Sequence, residues 1–306
     1  MYRDKKIGVV VPAYNEELHI GKVLDGMPDF VDAVYVVDDA STDRTAQIVL
    51  DFIDHSRTPA LQPLAGPLAH SPTPSLTHSS SPALPHSRTL ALTHSCSLVG
   101  PRIELVQHAR NSGVGAAIVT GYKRCLADGM DIAAVMAGDN QADPSLLSSI
   151  VDPVVGDVAA YSKGTRRTDP SHLQGMSPWR RIGNNILRWL TVAASGNREI
   201  TDPQCGYTAA SRYALEIVDL DSVYSYYGYC NDLIVRFSAL AVPVIEVPRP
   251  SRYQGEKSKI RYHRYMPKVS MLLLRLFIWR ITGRLSTRRT PAVASSESAP
   301  VEESRA

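Results

Sequence analysis

Four short, largely apolar runs separated by helical stretches limit what the first half of this chain can become. Ile7–Val11, Ala33–Val37, Ile103–Gln107 and Ile132–Met136 read as strands. Glu16–Met27, Asp43–Ile53 and Val114–Leu126 carry helical periodicity between them. Apolar strands need cover on both faces, and strands joined through helices run parallel. The expected fold is α/β, a mostly parallel central sheet flanked by helices with a Rossmann-like nucleotide-binding half. Such sheets take ligands at the carboxyl ends of their strands. The loop that follows each strand is therefore where chemistry is expected.

One stretch departs from this alternation. From about residue 56 to 100 the chain turns to Ser, Pro, Thr, His, Leu and Ala, with octads that begin at His70, His78, His86 and His94 and keep Leu76, Leu84 and Leu92 in register. No other ligand type recurs with the histidines, and the prolines prevent a helix that would align them. The composition predicts a disordered insertion grown by repeat duplication. It falls between a helix and the third strand. Loop closure costs little more as a loop lengthens, so the sheet is expected to close around it.

The second half is looser. Val158–Ser162 and Val242–Val247 read as strands, and Trp179–Ala194, Tyr213–Val218 and Asn231–Leu240 as helices. The domain expected is 1–55 with 101–262, followed by a helical segment at 263–286 and a disordered tail at 287–306. The longest apolar stretch, Val269–Ile281, is interrupted by Arg275 and Arg280. It is shorter than the roughly 20 apolar residues a bilayer span needs. Two readings stand for it. One is a core-packing helix in which Arg280 falls awkwardly among apolar positions; the other is a helix on a membrane surface, with basic residues beside Trp279 and Phe277.

Charge and cysteines narrow the function classes. With 33 basic and 30 acidic residues the net charge is only +3, no footprint for bulk nucleic-acid binding. Cys96, Cys125, Cys205 and Cys230 are scattered without a CxxC pair, so neither a zinc site nor a disulfide framework is expected. The charged start, Met1–Lys6, carries no apolar leader. Together these suit a cytoplasmic protein, with a peripheral place on the cytoplasmic membrane face if the last helix lies on lipid. Oligomeric state stays open.

The strand-exit loops carry the polar residues. The first strand leaves through Val10–Glu17, where Pro12 fixes the chain direction and Asn15 and Glu16 can cap a helix. The second ends in Val36–Asp43, where Asp38 and Asp39 can accept hydrogen bonds from a base or ribose and Asp43 reads as a helix cap. In Arg110–Ala117, Gly113 and Gly115 allow close backbone approach, and the helix start beside Asn111 offers N–H groups to phosphate. The third glycine of a dinucleotide fingerprint is missing. The fourth strand ends in Met136–Pro144, where Asp139, Gln141 and Asp143 are hard oxygen donors. Mg²⁺ or Mn²⁺ on one or two carboxylates neutralises a departing diphosphate; an Asp-rich turn opening a helix at Pro144 is the other reading. Near the end of the domain, Arg252, Lys257, Ser258 and Lys259 gather around Gly255 as an anion clamp or as a solvated basic loop.

VVVPAYNEE, VVDDASTD, NSGVGAA, MAGDNQADP, DPQCGY and RYQGEKSKI, in that order, resemble family 2 glycosyltransferases of the GT-A fold. The likeness is to the branch of dolichyl- and undecaprenyl-phosphate sugar transferases, and it covers roughly Lys6–Ile281 apart from the octads. The resemblance implies an inverting transfer from a UDP- or GDP-sugar to an acceptor, with polyprenyl phosphate as that acceptor. It implies that Pro12, Tyr14, Glu16 and Asp39 hold the nucleotide. Asp139 is then the second acid of the D-x-D metal motif, with Gln141 assisting, and Arg166 binds phosphate. Asp202 lies near the acceptor, and Asp232 stands where relatives with hydroxyl acceptors carry a base. The chain departs from the family at Ala137, which replaces the first acid.

Ala137 keeps a competing expectation in view, a non-catalytic nucleotide-sugar-binding protein; a transferase with a soluble hydroxyl acceptor is another. A processive polysaccharide synthase lacks support, because Gln174 and Trp179 are too far apart for Q-x-x-R-W. A sugar nucleotidyltransferase would need an N-terminal glycine-rich signature that this sequence does not have.

Overall fold

The computed structural model describes residues 1–57, 101–167, 178–250 and 262–283. The octads, the cluster of Arg252, Lys257, Ser258 and Lys259, and the tail from 287 lie outside the described residues. The first half alternates as expected: β1 (Ile7–Ala13), α1 (Ile20–Asp25), β2 (Ala33–Asp38), α2 (Thr45–Arg57), β3 (Arg102–Gln107), α3 (Val114–Ala127) and β4 (Ile132–Val135). Then come α4 (Leu147–Val155), β5 (Tyr161–Thr165), α5 (Pro178–Ser195), β6 (Thr208–Ser211), α6 (Arg212–Ile217), α7 (Tyr229–Ala239), β7 (Val244–Pro248) and α8 (Tyr262–Ile281).

The strands form one sheet in the order β3-β2-β1-β4-β6-β5-β7. Every neighbouring pair is parallel except the two that β6 makes, with β4 and with β5. Six strands therefore point their carboxyl ends the same way. Successive strand side chains face opposite sides, and β1 shows the consequence. Ile7, Val9 and Val11 pack with α1 and α4, while Val10 packs with α3 and α7 on the other face.

Two elements were given no bounds from the sequence, the second foreseen only as a helix opening at Pro144. β6 is built from Thr-Ala-Ala-Ser, residues of weak strand preference, and owes its form to pairing between two buried neighbours. In α4 the apolar positions Leu147, Ile150, Val151, Val154 and Val155 repeat at helical spacing and are all buried. Boundaries also shift. The strand expected at Val158–Ser162 is Tyr161–Thr165, and α1 begins at Ile20 rather than Glu16.

The last helix serves both faces at once. Val269, Leu273 and Leu276 are buried against Leu187 and Ala194 of α5 and Val235 of α7. Met271, Leu274, Ile278 and Ile281 face outward. Arg280 has a reason to interrupt the apolar pattern. It donates to the carbonyls of Ser195 and Ala193, supplying a cation where the end of α5 leaves its carbonyls unpaired. No helix among the described residues is long and apolar enough to cross a membrane.

Candidate active site

The loops leaving β1 and β2 are sewn together by their own polar groups. The Asn15 N–H donates to Ser41 Oγ at 2.9 Å, and Asn15 Oδ1 accepts from the Thr42 N–H at 2.8 Å. The Glu16 N–H donates to Thr45 Oγ1 at 2.8 Å. Asp43 accepts from Thr45 at 2.9 Å through its N–H and 2.6 Å through its hydroxyl. Burial opposes the Asp43 charge, but these bonds outweigh it and lower the pKa. Non-glycine residues at positive φ sit at three adjacent strand exits: Asn15 (+54°), Ala40 (+61°) and Asn140 (+58°). Such strain persists where surrounding contacts hold it, and it gathers at functional sites.

Asp38 and Asp39 are both buried. Asp39 accepts from the Ser112 and Gly113 N–H groups, each at 2.8 Å, and lies 2.8 Å from His108 Nδ1. Asp38 accepts from the Ser41 N–H at 3.1 Å. The start of α3, expected to offer free N–H groups to phosphate, thus has partners of its own. The Ala116 N–H donates to Ser225 O at 3.1 Å. The close approach that Gly115 permits is to the chain itself, since a Cβ there would lie 2.1 Å from Tyr224 O. Asp39 and Gly113 tie the β2 and β3 exits together, and Val114 next to them lines the cavity described below.

A cavity of about 500 Å³ opens at the carboxyl ends of the strands. That size suits a small-molecule or cofactor site. Glu16 comes to it from β1, Asp139 and Gln141 from β4, Arg166 from β5 and Arg249 from β7. Asp139 accepts the Gln141 N–H at 3.1 Å. Tyr227 lines the cavity as well; burial, and then the charges of Asp139 and Glu16, raise its phenol pKa. Two carboxylates and an amide on one wall are hard oxygen donors. No group of three His, Cys, Asp or Glu residues that could hold a metal occurs among the described residues. The donor set therefore suits a hard cation that completes its shell with ligand oxygens, not one enclosed by protein. Ala137 lines the same wall and adds no donor.

Behind Arg166 lies a buried ionic network. Asp202 is buried and takes Arg166 in a fork, Nε at 2.6 Å and Nη2 at 2.8 Å, with the Arg166 N–H at 3.2 Å. Burial opposes its charge, but Arg166 and then Lys163 hold Asp202 well below the usual carboxylate range. Lys163 is wholly buried in β5. It donates to Asp202 O and pairs with Glu246 of β7 at 3.3 Å. Glu246 in turn accepts the Thr201 N–H at 2.9 Å and the Asp202 N–H at 3.0 Å. Asp202 thus aims Arg166 at the cavity.

Asp232 is placed elsewhere. It is buried, pairs with Arg236 Nε at 2.6 Å and accepts the Tyr224 N–H at 2.7 Å. Its neighbour Asn231 lines the cavity. Burial, only partly offset by Arg236, raises the Asp232 pKa. Pro12 is buried inside β1, where its carbonyl accepts the Gly138 N–H at 3.2 Å, while Tyr14 is exposed. Asn231 shares with Asp232 the place where relatives carry a base, whereas Lys163, Gln204, Tyr227, Glu246 and Arg249 were not among the expected site residues. A lysine and a glutamate inside apolar strands, Tyr-Ser-Lys-Gly and Val-Ile-Glu-Val, were the signal for a buried ion pair.

A mostly parallel seven-stranded sheet with Glu16, Asp139 and Arg166 lining one cavity at the carboxyl ends of its strands is the arrangement of a glycosyltransferase of GT-A type. The sequence pattern described as Glycosyl transferase family 2 matches residues 8–61 and 87–218, and the chain belongs to that family. It is an enzyme, a glycosyltransferase. It is 28% identical over 251 residues to a UDP-N-acetylglucosamine–dolichyl-phosphate N-acetylglucosaminyltransferase of Methanococcus voltae, covering 82% of this chain and 87% of the relative. It is 23% identical over 251 residues to an undecaprenyl-phosphate mannosyltransferase of Micrococcus luteus, covering 79% and 82%. Among solved structures, glucosyl-3-phosphoglycerate synthase of Mycobacterium tuberculosis, in complex with Mn²⁺, UDP and glucosyl-3-phosphoglycerate, superposes with a TM-score of 0.53. Identity there is 18%, over 90% of this chain and 80% of that one, a likeness of fold.

Proposed function

We propose that the enzyme transfers a sugar, with inversion, from a nucleotide diphosphate to a polyprenyl phosphate. The observation that carries this is the single cavity in which Glu16, Asp139 and Arg166 converge from three different strands. The acceptor's phosphate oxygen attacks the anomeric carbon, and the nucleoside diphosphate departs from the opposite side. A phosphate is already an anion and needs no base. That agrees with an Asp232 engaged by Arg236 and with the uncharged Asn231 on the cavity wall.

The donor's nucleotide would lie along the exits of β1, β2 and β3, shaped by Pro12, Tyr14, Glu16, Asp38, Asp39, Asn111, Gly113 and Gly115. Asp139 and Gln141 would hold Mg²⁺ or Mn²⁺, with Glu16 close by; when bound, the ion offsets charge on the diphosphate. The Mn²⁺ and UDP of the mycobacterial synthase structure favour such a pairing here. Arg166, aimed by Asp202, binds a phosphate oxygen. Arg252, Lys257, Ser258 and Lys259 remain candidates for the anion clamp.

The lipid acceptor rests on two observations. The dolichyl- and undecaprenyl-phosphate transferases among the relatives act on lipid phosphates, by name. The outer faces of α5 and α8 also expose Ile182, Ile186, Trp189, Met271, Leu274 and Ile278. Neither helix contains an acidic residue, and Arg181, Lys268 and Arg275 are exposed on them. An apolar stripe edged by cations suits an anionic bilayer surface, which would put the enzyme peripherally on the cytoplasmic membrane face. UDP- and GDP-sugars assayed with undecaprenyl phosphate in detergent test the proposal. Labelled glycolipid is expected for one donor; a soluble acceptor glycosylated while the lipid stays untouched refutes it.

A further inference from the structure

Three cations are buried among the described residues: Lys163, Arg236 and Arg249. Lys163 has Glu246 at 3.3 Å and Arg236 has Asp232 at 2.6 Å. Arg249 is 6% exposed, and no carboxylate among the described residues pairs with it. Its Nε faces Cys205 Sγ at 3.4 Å, its guanidinium lies 5.1 Å from the centre of the Tyr207 ring, and its Nη1 has no hydrogen-bond partner. A buried charge without a counter-charge is costly, and folds rarely retain one. The fold nevertheless makes room for it. A Cβ on Gly164 would lie 2.6 Å from Arg249 Cδ, so the bare glycine of β5 is what lets the arginine stem cross the strand. The Arg249 N–H donates to Thr165 O at 2.9 Å, which sets Arg249 beside Arg166 on the neighbouring strand end.

Asn231, 1% exposed, lines the same cavity with an orphan of the opposite kind. Its Nδ2 donates to Thr191 Oγ1 at 2.7 Å, and its Oδ1 has no partner. The amide cannot be turned around profitably. Thr191 already gives its hydroxyl proton to Leu187 O at 2.7 Å, so it can only accept from Asn231. Among the described residues the cavity therefore holds a cation with no carboxylate partner, set only against the Cys205 thiol and the Tyr207 ring, and an acceptor lacking a donor. Buried polar atoms are nearly always satisfied, by protein, water or ligand.

We infer that Arg249 and Asn231 form a subsite for an oxyanion carried next to a hydroxyl group, the anion going to Arg249 and the hydroxyl to Asn231. The inference rests on the glycosyl-transfer reading and refines it. Two reactants could bring that chemistry: an acceptor phosphate lying against the transferred sugar, or a donor whose sugar itself bears a carboxylate. The relevant comparison is therefore between anionic and neutral members of matched pairs.

The test uses the full chain and calorimetric titration. Farnesyl phosphate is set against farnesol in the presence of UDP or GDP, and UDP-glucuronate against UDP-glucose. The wild type is expected to prefer the anionic member of one pair at least tenfold, and which pair identifies the source of the anion. Arg249→Gln should erase that preference while keeping nucleotide affinity, with an apo melting temperature no lower than the wild type's. Arg249→Lys, which retains charge, should recover part of the preference. A wild type that discriminates in neither pair overturns the inference, as does an Arg249→Gln protein that melts earlier yet keeps the preference. Failure of the wild type to bind UDP or GDP would instead count against the transferase reading.

Discussion

The two sides of the sheet's carboxyl edge, β1–β2–β3 and β5–β7, stabilise buried carboxylates in different ways. On the β1–β2–β3 side, Asp38 and Asp39 are answered by loop N–H groups and by a histidine or glutamine side chain. On the β5–β7 side, Asp202 and Glu246 are answered by Arg166 and Lys163. The first arrangement fixes loop geometry and keeps full charges few. The second holds an arginine at the strand ends in a buried ion pair. Under the proposed function, the first side would shape the bed of a polar ligand and the second would face charge that develops during transfer.

The largest effect is expected at Asp139, which lines the cavity. Asp139→Ala is expected to lower turnover by about a hundredfold to a thousandfold, the scale of a lost electrostatic group in the transition state, while far-ultraviolet dichroism and the melting temperature stay close to the wild type. Wild-type rates in that variant would remove Asp139 from the chemistry. Next in size is Asp202→Asn. Removing one partner of a buried pair costs about 3–5 kcal/mol, read by urea denaturation. Asp39→Asn, which disturbs N–H bonds rather than an ion pair, should cost less, about 1–3 kcal/mol. The reverse order would erase the distinction between the two sides.

Acid titration sharpens the same point. The folded pKa of Asp202 lies below its ordinary value of 3.8, so its contribution is fully present above that pH and is lost as pH falls toward the depressed value. The folded pKa of Asp232 is raised, so ionising it costs stability as pH rises through 3.8 and beyond. Wild-type stability minus that of Asp202→Asn should therefore shrink below about pH 4; a difference that stays level through acid would contradict the pairing. The smallest stability effect is expected on the outer helices. Trp189→Ser with Ile278→Ser, at positions 63% and 48% exposed, should change stability by under about 0.5 kcal/mol per site. The pair should nonetheless weaken flotation with anionic vesicles, and undiminished flotation would detach that face from the membrane proposal.

Much of this was legible along the chain. Short apolar runs alternating with helical periodicity, and the motif order from VVVPAYNEE to DPQCGY, pointed to the sheet, its strand-exit loops and Asp139. The motifs could not show which polar atoms would meet. Arg249 carried no signal in the sequence, and its place depends on Gly164 of β5, a neighbour in space and not in sequence. Asp232 sat in the register of a base, yet the turn of α7 that presents Asn231 to the cavity directs Asp232 to Arg236. Arg280, an anomaly in an apolar stripe, acquires a purpose only when the end of α5 arrives beside it.

The sequence alone determined the local quantities, namely strand and helix periods, loop chemistry and the order of elements, because these depend on neighbours a few residues away. Tertiary structure alone decided the pairing of charges, the antiparallel insertion of β6 between β4 and β5, and which of two adjacent residues faces the cavity. Those outcomes depend on contacts between segments far apart in the chain, and in a buried site the energy of a charged group is set by whatever the fold brings within a few ångströms of it.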